Sequence, residues 1–161
     1  MRKRLATVAA VALVAVAFGG LMRTAAAGSS TVTTTEIVVA VPFDTLRDTF
    51  LDYEHDGFSQ GDRVVFRAEL WDPAETHRMG KAKGECVVVS DRLTATKGLF
   101  RCSYLLQLAK GDLVVEGLDP RGPGSSVLAV LGGTGGYSTV SGDADVVDTA
   151  SRTEFHLHVI T

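Results

Sequence analysis

In the stretch Phe100-Arg101-Cys102-Ser103-Tyr104-Leu105-Leu106-Gln107-Leu108, one parity is Phe, Cys, Tyr, Leu, Leu, while the other carries Arg101, Ser103 and Gln107. A period of two belongs to a β-strand, whose side chains alternate between two faces. The same pattern recurs along the chain and predicts strands over residues 33–41, 63–71, 83–90, 99–108, 112–118, 126–131, 143–148 and 153–161. Gly61-Asp62, Lys110-Gly111 and Asp119-Pro120-Arg121-Gly122-Pro123-Gly124 supply turn chemistry between them. With no amphipathic helix, the pattern predicts an all-β fold, an eight-stranded antiparallel barrel. Closure removes the exposed edges that an open sheet must protect. Residues 42–60 read as one long irregular connection that caps a barrel mouth or holds one helical turn.

Parity assigns the faces. Val64, Phe66, Ala68 and Leu70 are expected to line the interior, with Arg67, Glu69 and Trp71 outside. Cys102, Tyr104 and Leu106 fall inside on the fourth strand, Cys86 and Val88 on the third, and Phe155 on the last. Phe66, Ala68, Leu70, Val88, Cys102, Leu106 and Phe155 are therefore the expected ligand-contacting set for any interior cavity.

The N-terminus reads as an export signal. Arg2-Lys3-Arg4 precedes an apolar run over residues 5–18, too short for a comfortable membrane span, and Ala25-Ala26-Ala27 supplies small residues for cleavage. Residues 1–27 are then a signal peptide and 28–161 a secreted barrel domain. Four of the 16 basic residues leave with the leader while all 19 acidic ones stay, so the net charge becomes 12 − 19 = −7. That balance, with no basic run of three surviving cleavage, argues against nucleic acid or an anionic membrane surface as a partner.

Two cysteines in an exported chain suggest a disulfide or two protected thiols. A hairpin centred near Thr94 sets Cys86 opposite Cys102, both facing inward and close enough to bridge. The alternative is a reactive Cys86 thiol facing a pocket.

The stretch Val130-Leu131-Gly132-Gly133-Thr134-Gly135-Gly136-Tyr137, with Gly142 beyond, reads as a tight barrel corner. A phosphate loop would need a Lys-Ser/Thr ending and a following helix, and neither is present. Together with Gly61-Asp62-Arg63-Val64-Val65-Phe66, the approach Gly80-Lys81-Ala82-Lys83-Gly84-Glu85-Cys86 and the hairpin from Phe100 to Gly117, this motif resembles the allene oxide cyclase and dirigent barrel superfamily. The resemblance spans residues 61–147. It implies an eight-stranded, commonly trimeric barrel that encloses a mostly apolar small-molecule cavity. It also implies guided ring closure or bond formation in a hydrophobic reactive intermediate, with no metal and no cofactor.

By that resemblance Cys86 falls on the cyclase's pocket Cys and Glu36 on its first-strand Glu. Ala68 and Val38 stand where the cyclase has Asn, and Ser138-Thr139-Val140-Ser141 lacks the basic residue that follows the glycine motif in dirigent proteins. Glu36, Tyr104 and Cys86 are the catalytic candidates. Glu36 would act as general acid or base if it faces the apolar lumen, and is otherwise an outward or rim residue among Thr33–Thr35; Tyr104 would hydrogen-bond a ligand oxygen or serve as a core tyrosine. Glu116 is expected outside. His156 and His158 share the outer face of the last strand, where a metal would need a third ligand from another strand. The chain thus reads as an exported guide of cyclisation, isomerisation or stereoselective coupling, or as a lipocalin-like carrier; a filled structural barrel is the third reading.

Overall fold

A computed structural model describes residues 32–53, 59–90, 98–120 and 122–161. The expected signal peptide, residues 1–27, lies outside the described residues, as does the hairpin tip at Thr94. The strands are β1 (Thr34–Pro42), β2 (Arg47–Leu51), β3 (Arg63–Trp71), β4 (Arg78–Val88), β5 (Leu99–Leu108), β6 (Gly111–Pro120), β7 (Gly124–Gly133), β8 (Ser141–Asp148) and β9 (Arg152–Ile160). They form one antiparallel sheet in the order β1-β9-β8-β7-β6-β5-β4-β3-β2. A pairing of Ala40 with Trp71 joins β1 to β3 and closes eight of these strands into a barrel, with β2 as an additional strand.

The extra strand corrects the expectation for residues 42–60. After Pro42 the chain makes a tight turn, in which the Thr45 and Leu46 N–H groups donate to the Pro42 and Phe43 carbonyls at 3.1 and 3.2 Å. It then rejoins the same edge of β3: Ala40 faces Trp71, whereas Arg47 faces Arg67 and Leu51 faces Arg63. Arg47, Asp48 and Thr49 are all exposed, so no apolar alternation marks β2. The free hydrogen-bonding edge of β3 makes it a strand. The chain between β1 and β2 lays Phe43 and Leu46 over the barrel interior rather than forming a helical turn.

The barrel's ladders match the parity reading. Val39, Leu70, Leu106, Leu113, Val115, Ala144 and Leu157 are each no more than 0% exposed and form the core with their inward neighbours. Arg67 is exposed, Glu69 is half-buried and bonded to Arg78 at 3.3 Å, and Glu116 lies on the outer parity of β6. Trp71 is half-buried at the β1–β3 seam rather than open to solvent.

Two glycines permit close approach where a side chain would not fit. Gly84 faces inward from β4, and a Cβ there would strike the Ser103 carbonyl oxygen and lie 2.7 Å from Cζ of Phe66. The Phe66 ring therefore occupies lumen space that Gly84 vacates. In the glycine motif, Gly132 has φ +126° at a register shift between β6 and β7, in the left-handed region that glycine tolerates. A 3₁₀ turn over Gly135–Tyr137 follows and leads into β8, so the motif is a corner.

Candidate functional site: an aromatic-walled cavity in the barrel

Inside the barrel, toward the end where β8 turns into β9, lies a cavity of about 160 Å³. Its wall comprises Val64 and Phe66 from β3, Ala82 and Cys86 from β4, Tyr104 from β5 and Thr153 and Phe155 from β9; Val41, Phe43, Leu46 and Asp48 border its mouth, which is open to solvent. The size is comparable with an engineered protein cavity of about 150 Å³ that stays dry and binds benzene. A single six-membered ring is therefore the scale of guest that this volume holds.

Tyr104 is the polar centre of this wall. It is 9% exposed, and its ring meets Phe66 at a centroid distance of 5.4 Å and Phe155 edge-on at 5.0 Å. Its hydroxyl donates to Asp119 Oδ2 at 2.8 Å, and the Ser126 hydroxyl donates to Asp119 Oδ1 at 2.9 Å. Asp119 is itself only 8% exposed, so this carboxylate is held by two hydroxyl groups rather than by water. Burial pushes the Tyr104 phenol well above its ordinary range, and the nearby Asp119 and Asp148 charges push it further. Tyr104 is a neutral hydrogen-bond donor locked onto Asp119, not a phenolate.

A second pair sits on the adjoining wall. Thr153 donates its hydroxyl to Asp148 Oδ1. Burial raises the Asp148 carboxyl above its usual value, opposed by the Thr153 hydrogen bond. Asp48 lies at the mouth, where it is exposed.

Cys86 and Cys102, directly opposed across β4 and β5, form a disulfide with Cα atoms 4.0 Å apart. Cys86 Sγ lies 3.9 Å from the Tyr104 hydroxyl oxygen. The Cys86 side chain thus borders the cavity as an oxidised sulfur, which carries no thiolate and cannot serve as the reactive nucleophile or acid.

The candidate residues therefore separate. Tyr104, Cys86, Phe66 and Phe155 meet at the cavity. Ala68, Leu70, Val88, Cys102 and Leu106 point inward but do not line it; they are packed into the core, none more than 7% exposed. Glu36 takes the outward of its two alternatives, which removes it as a lumenal acid or base. It alternates with inward Ile37 and Val39, leaves its side chain 58% exposed on the outer face, and pairs with His156 Nδ1 at 3.7 Å. His156 also meets Glu154 at 3.4 Å and His158 meets Asp145 at 3.3 Å, so both imidazoles lie beside carboxyl groups on the outer face.

Sequence reading missed Asp119, Ser126, Asp148, Thr153, Asp48, Phe43 and Leu46. Asp119 carried a usable signal: extending the inward parity Leu113, Val115, Gly117 by one step reaches it. Its place in an Asp-Pro-Arg-Gly-Pro-Gly run concealed this by reading as a turn.

At the opposite end of the barrel, Glu36, Arg78, Lys110 and Tyr137 border a broader cleft of about 550 Å³ formed by strand ends and the 108–111 turn. It is mixed in polarity, without a hydrogen-bonded centre like that at Tyr104.

No protein-family model matches the sequence, and no curated protein matches it. Solved structures match the fold. A pterocarpan synthase dirigent protein superposes with a TM-score of 0.63 at 16% identity, over 82% of this chain and 87% of that one. Pyocyanin demethylase superposes with a TM-score of 0.60 at 20% identity, over 76% and 99%. An exo-specific intermolecular Diels-Alderase gives 0.60 at 16% identity, over 80% and 99%. At these identities the likeness is one of fold.

Proposed function

From a chain with the allene oxide cyclase and dirigent-like barrel fold, we propose a protein that binds a hydrophobic, reactive small molecule in its lumen and guides that molecule to one product. Cyclisation, isomerisation or stereoselective coupling are the reaction types in question. The observation that carries this reading is the placement of one buried, hydrogen-bonded phenol, Tyr104, in a mostly apolar cavity whose other polar side chains are Thr153 and, at the mouth, Asp48. An intermediate that would react in several ways in water is restricted by such a wall to one conformer, and its orientation is fixed at a single polar contact. Neighbours with this fold include a Diels-Alderase and a dirigent protein, which supports the same class of chemistry here. The reading assigns no cofactor or metal. It includes export through the residue 1–27 leader and assembly as a homotrimer.

The test is product distribution. Purified protein incubated with reactive polyenes, epoxides and phenoxy radicals is expected to shift regiochemistry or enantiomeric ratio for at least one class. Tyr104→Phe is expected to reduce the shift. Unchanged product ratios across all three classes would remove the proposal.

A carrier without chemistry is favoured by two particular observations: Cys86 borders the cavity but is tied up as a disulfide, and Glu36 is outside, leaving Tyr104 as the one catalytic candidate with an ionisable group at the cavity. Native mass spectrometry that recovers an intact bound lipid or other apolar ligand, with no turnover on incubation, would select the carrier.

A further inference from the structure

We infer that the lumen of this barrel is selective for an organic ammonium ion, a protonated amine with an apolar body of about one ring, because every polar side chain described at its wall faces the guest as a hydrogen-bond acceptor. This rests on the lumen being the binding site, as proposed above, and adds the chemical class of what enters it.

The polarity follows from where the hydroxyl protons go. Tyr104 and Thr153 are the two hydroxyl-bearing side chains at the cavity. Tyr104 commits its proton to Asp119, and Thr153 commits its proton to Asp148. A hydroxyl has one proton and two lone pairs. Each therefore turns lone pairs toward the cavity while its proton points into the wall. The third polar side chain, Asp48, is an acceptor when ionised, and the Cys86 sulfur is bonded to Cys102 and has no proton to give. Among the described residues that line the cavity, no side chain offers a free N–H or O–H. A ketone, ester or carboxylate guest would meet lone pair against lone pair, whereas an ammonium group brings donors to unfilled acceptors.

Charge points the same way. Asp48 at the mouth and Asp119 and Asp148 behind the wall are three carboxyl groups, and no Lys, Arg or His is among the lining residues. The basic Arg152, adjacent in sequence to Thr153, is engaged outside with Glu75 at 2.9 Å and with Glu154. Asp119, buried behind the wall, acts over longer range than a carboxyl group in water, whereas Asp48 is screened by solvent at the mouth. Phe43, Phe66, Tyr104 and Phe155 supply aromatic surface, which accepts organic cations where a ring face meets the charge.

Toluene, benzyl alcohol, benzylammonium and benzoate form a size-matched probe series for a cavity on the scale of one benzene ring. Each is titrated into the full chain at neutral pH and low salt, with binding followed by NMR at the Ala82 and Thr153 methyl groups, which lie at the cavity. Benzylammonium is expected to bind about tenfold more tightly than benzyl alcohol, and benzoate to bind most weakly of the four. Asp48→Asn is expected to shrink the preference for benzylammonium over benzyl alcohol. Benzoate binding as tightly as benzylammonium, with toluene shifting the same methyls, overturns the cation selectivity and leaves the lumen reading intact. Failure of all four to shift those methyls overturns the lumen reading and this inference together. Benzylammonium shifts confined to the outer face around Glu36, His156 and Asp145 also overturn it, as attraction to an acidic surface.

Discussion

Replacing Tyr104 with Phe leaves Asp119 with Ser126 as its one remaining side-chain hydroxyl partner, in a site 8% exposed to water. A buried acceptor stripped of a partner costs about 1–3 kcal/mol, so Tyr104→Phe is expected to lower the free energy of unfolding by that amount. The double variant Tyr104→Phe with Asp119→Leu is expected to recover much of the loss, since both polar partners are then gone. Urea titrations of the single and double variants check this; a single variant as stable as the parent would mean that water replaces the hydroxyl. At Gly84 the problem is one of space: Gly84→Ala sets a methyl against the Ser103 carbonyl and the Phe66 ring. A loss of about 1–3 kcal/mol or more is expected, with a change in the Phe66 ring resonances, because overpacked cores force off-rotamer side chains. Residue-level chemistry was only partly legible in the sequence. The inward parity of Phe66, Tyr104 and Phe155 was readable, whereas the partner of the Tyr104 hydroxyl was not. That partner comes from the far end of the neighbouring strand, and only the β5–β6 register brings it there.

Loops at element ends are held by particular carboxylates, and the clearest case is Asp62 at the entry to β3. Its side chain accepts the Tyr53 N–H at 3.0 Å, the Ser59 N–H at 2.7 Å and the Ser59 hydroxyl at 3.1 Å, while its backbone pairs with Val88. The backbone N–H groups of Ser59 and Tyr53 hold the Asp62 carboxyl below the ordinary aspartate value. A folded-state value below the unfolded one means stabilisation that is present above the unfolded value, about 3.9, and lost as pH falls through the folded value. Acid titration followed by circular dichroism is expected to show a steeper loss of stability below about pH 4 in the parent than in Asp62→Asn, which has no charge to neutralise. Identical acid limbs would dissociate this carboxylate from the pH response. Seven of the predicted strands agree with the observed ones to within about two residues at each end, the uncertainty normal for strand boundaries. The start of β4 at Arg78 rather than residue 83 and the existence of β2 were not legible. Arg78-Met79-Gly80-Lys81-Ala82-Lys83-Gly84 and Arg47-Asp48-Thr49 lack apolar alternation, and their ladder partners on β3 and β5 recruit them.

At the scale of the whole barrel, the Cys86–Cys102 bridge ties two adjacent strands at a sequence separation of 16. Closing a loop of that length is worth about 3 kcal/mol in the chain-entropy model, so full reduction is expected to cost roughly that much stability. Urea midpoints measured with and without reductant, on protein checked for free thiol, test the figure; an unchanged midpoint would place the stabilisation elsewhere in the ladder. The barrel's lumen is also where sequence and structure contribute different things. The two faces of each strand, the apolar interior and the glycine corner were fixed locally, because side chains alternate strictly along an extended backbone and glycine alone relaxes φ. Closure through Ala40 and Trp71, the recruitment of β2, the placing of Phe43 and Leu46 at the cavity mouth and the meeting of Tyr104 with Asp119 were decided only by the assembled sheet. Each depends on the register summed over several strands, and a shift of one residue in any ladder would turn a lumenal group outward.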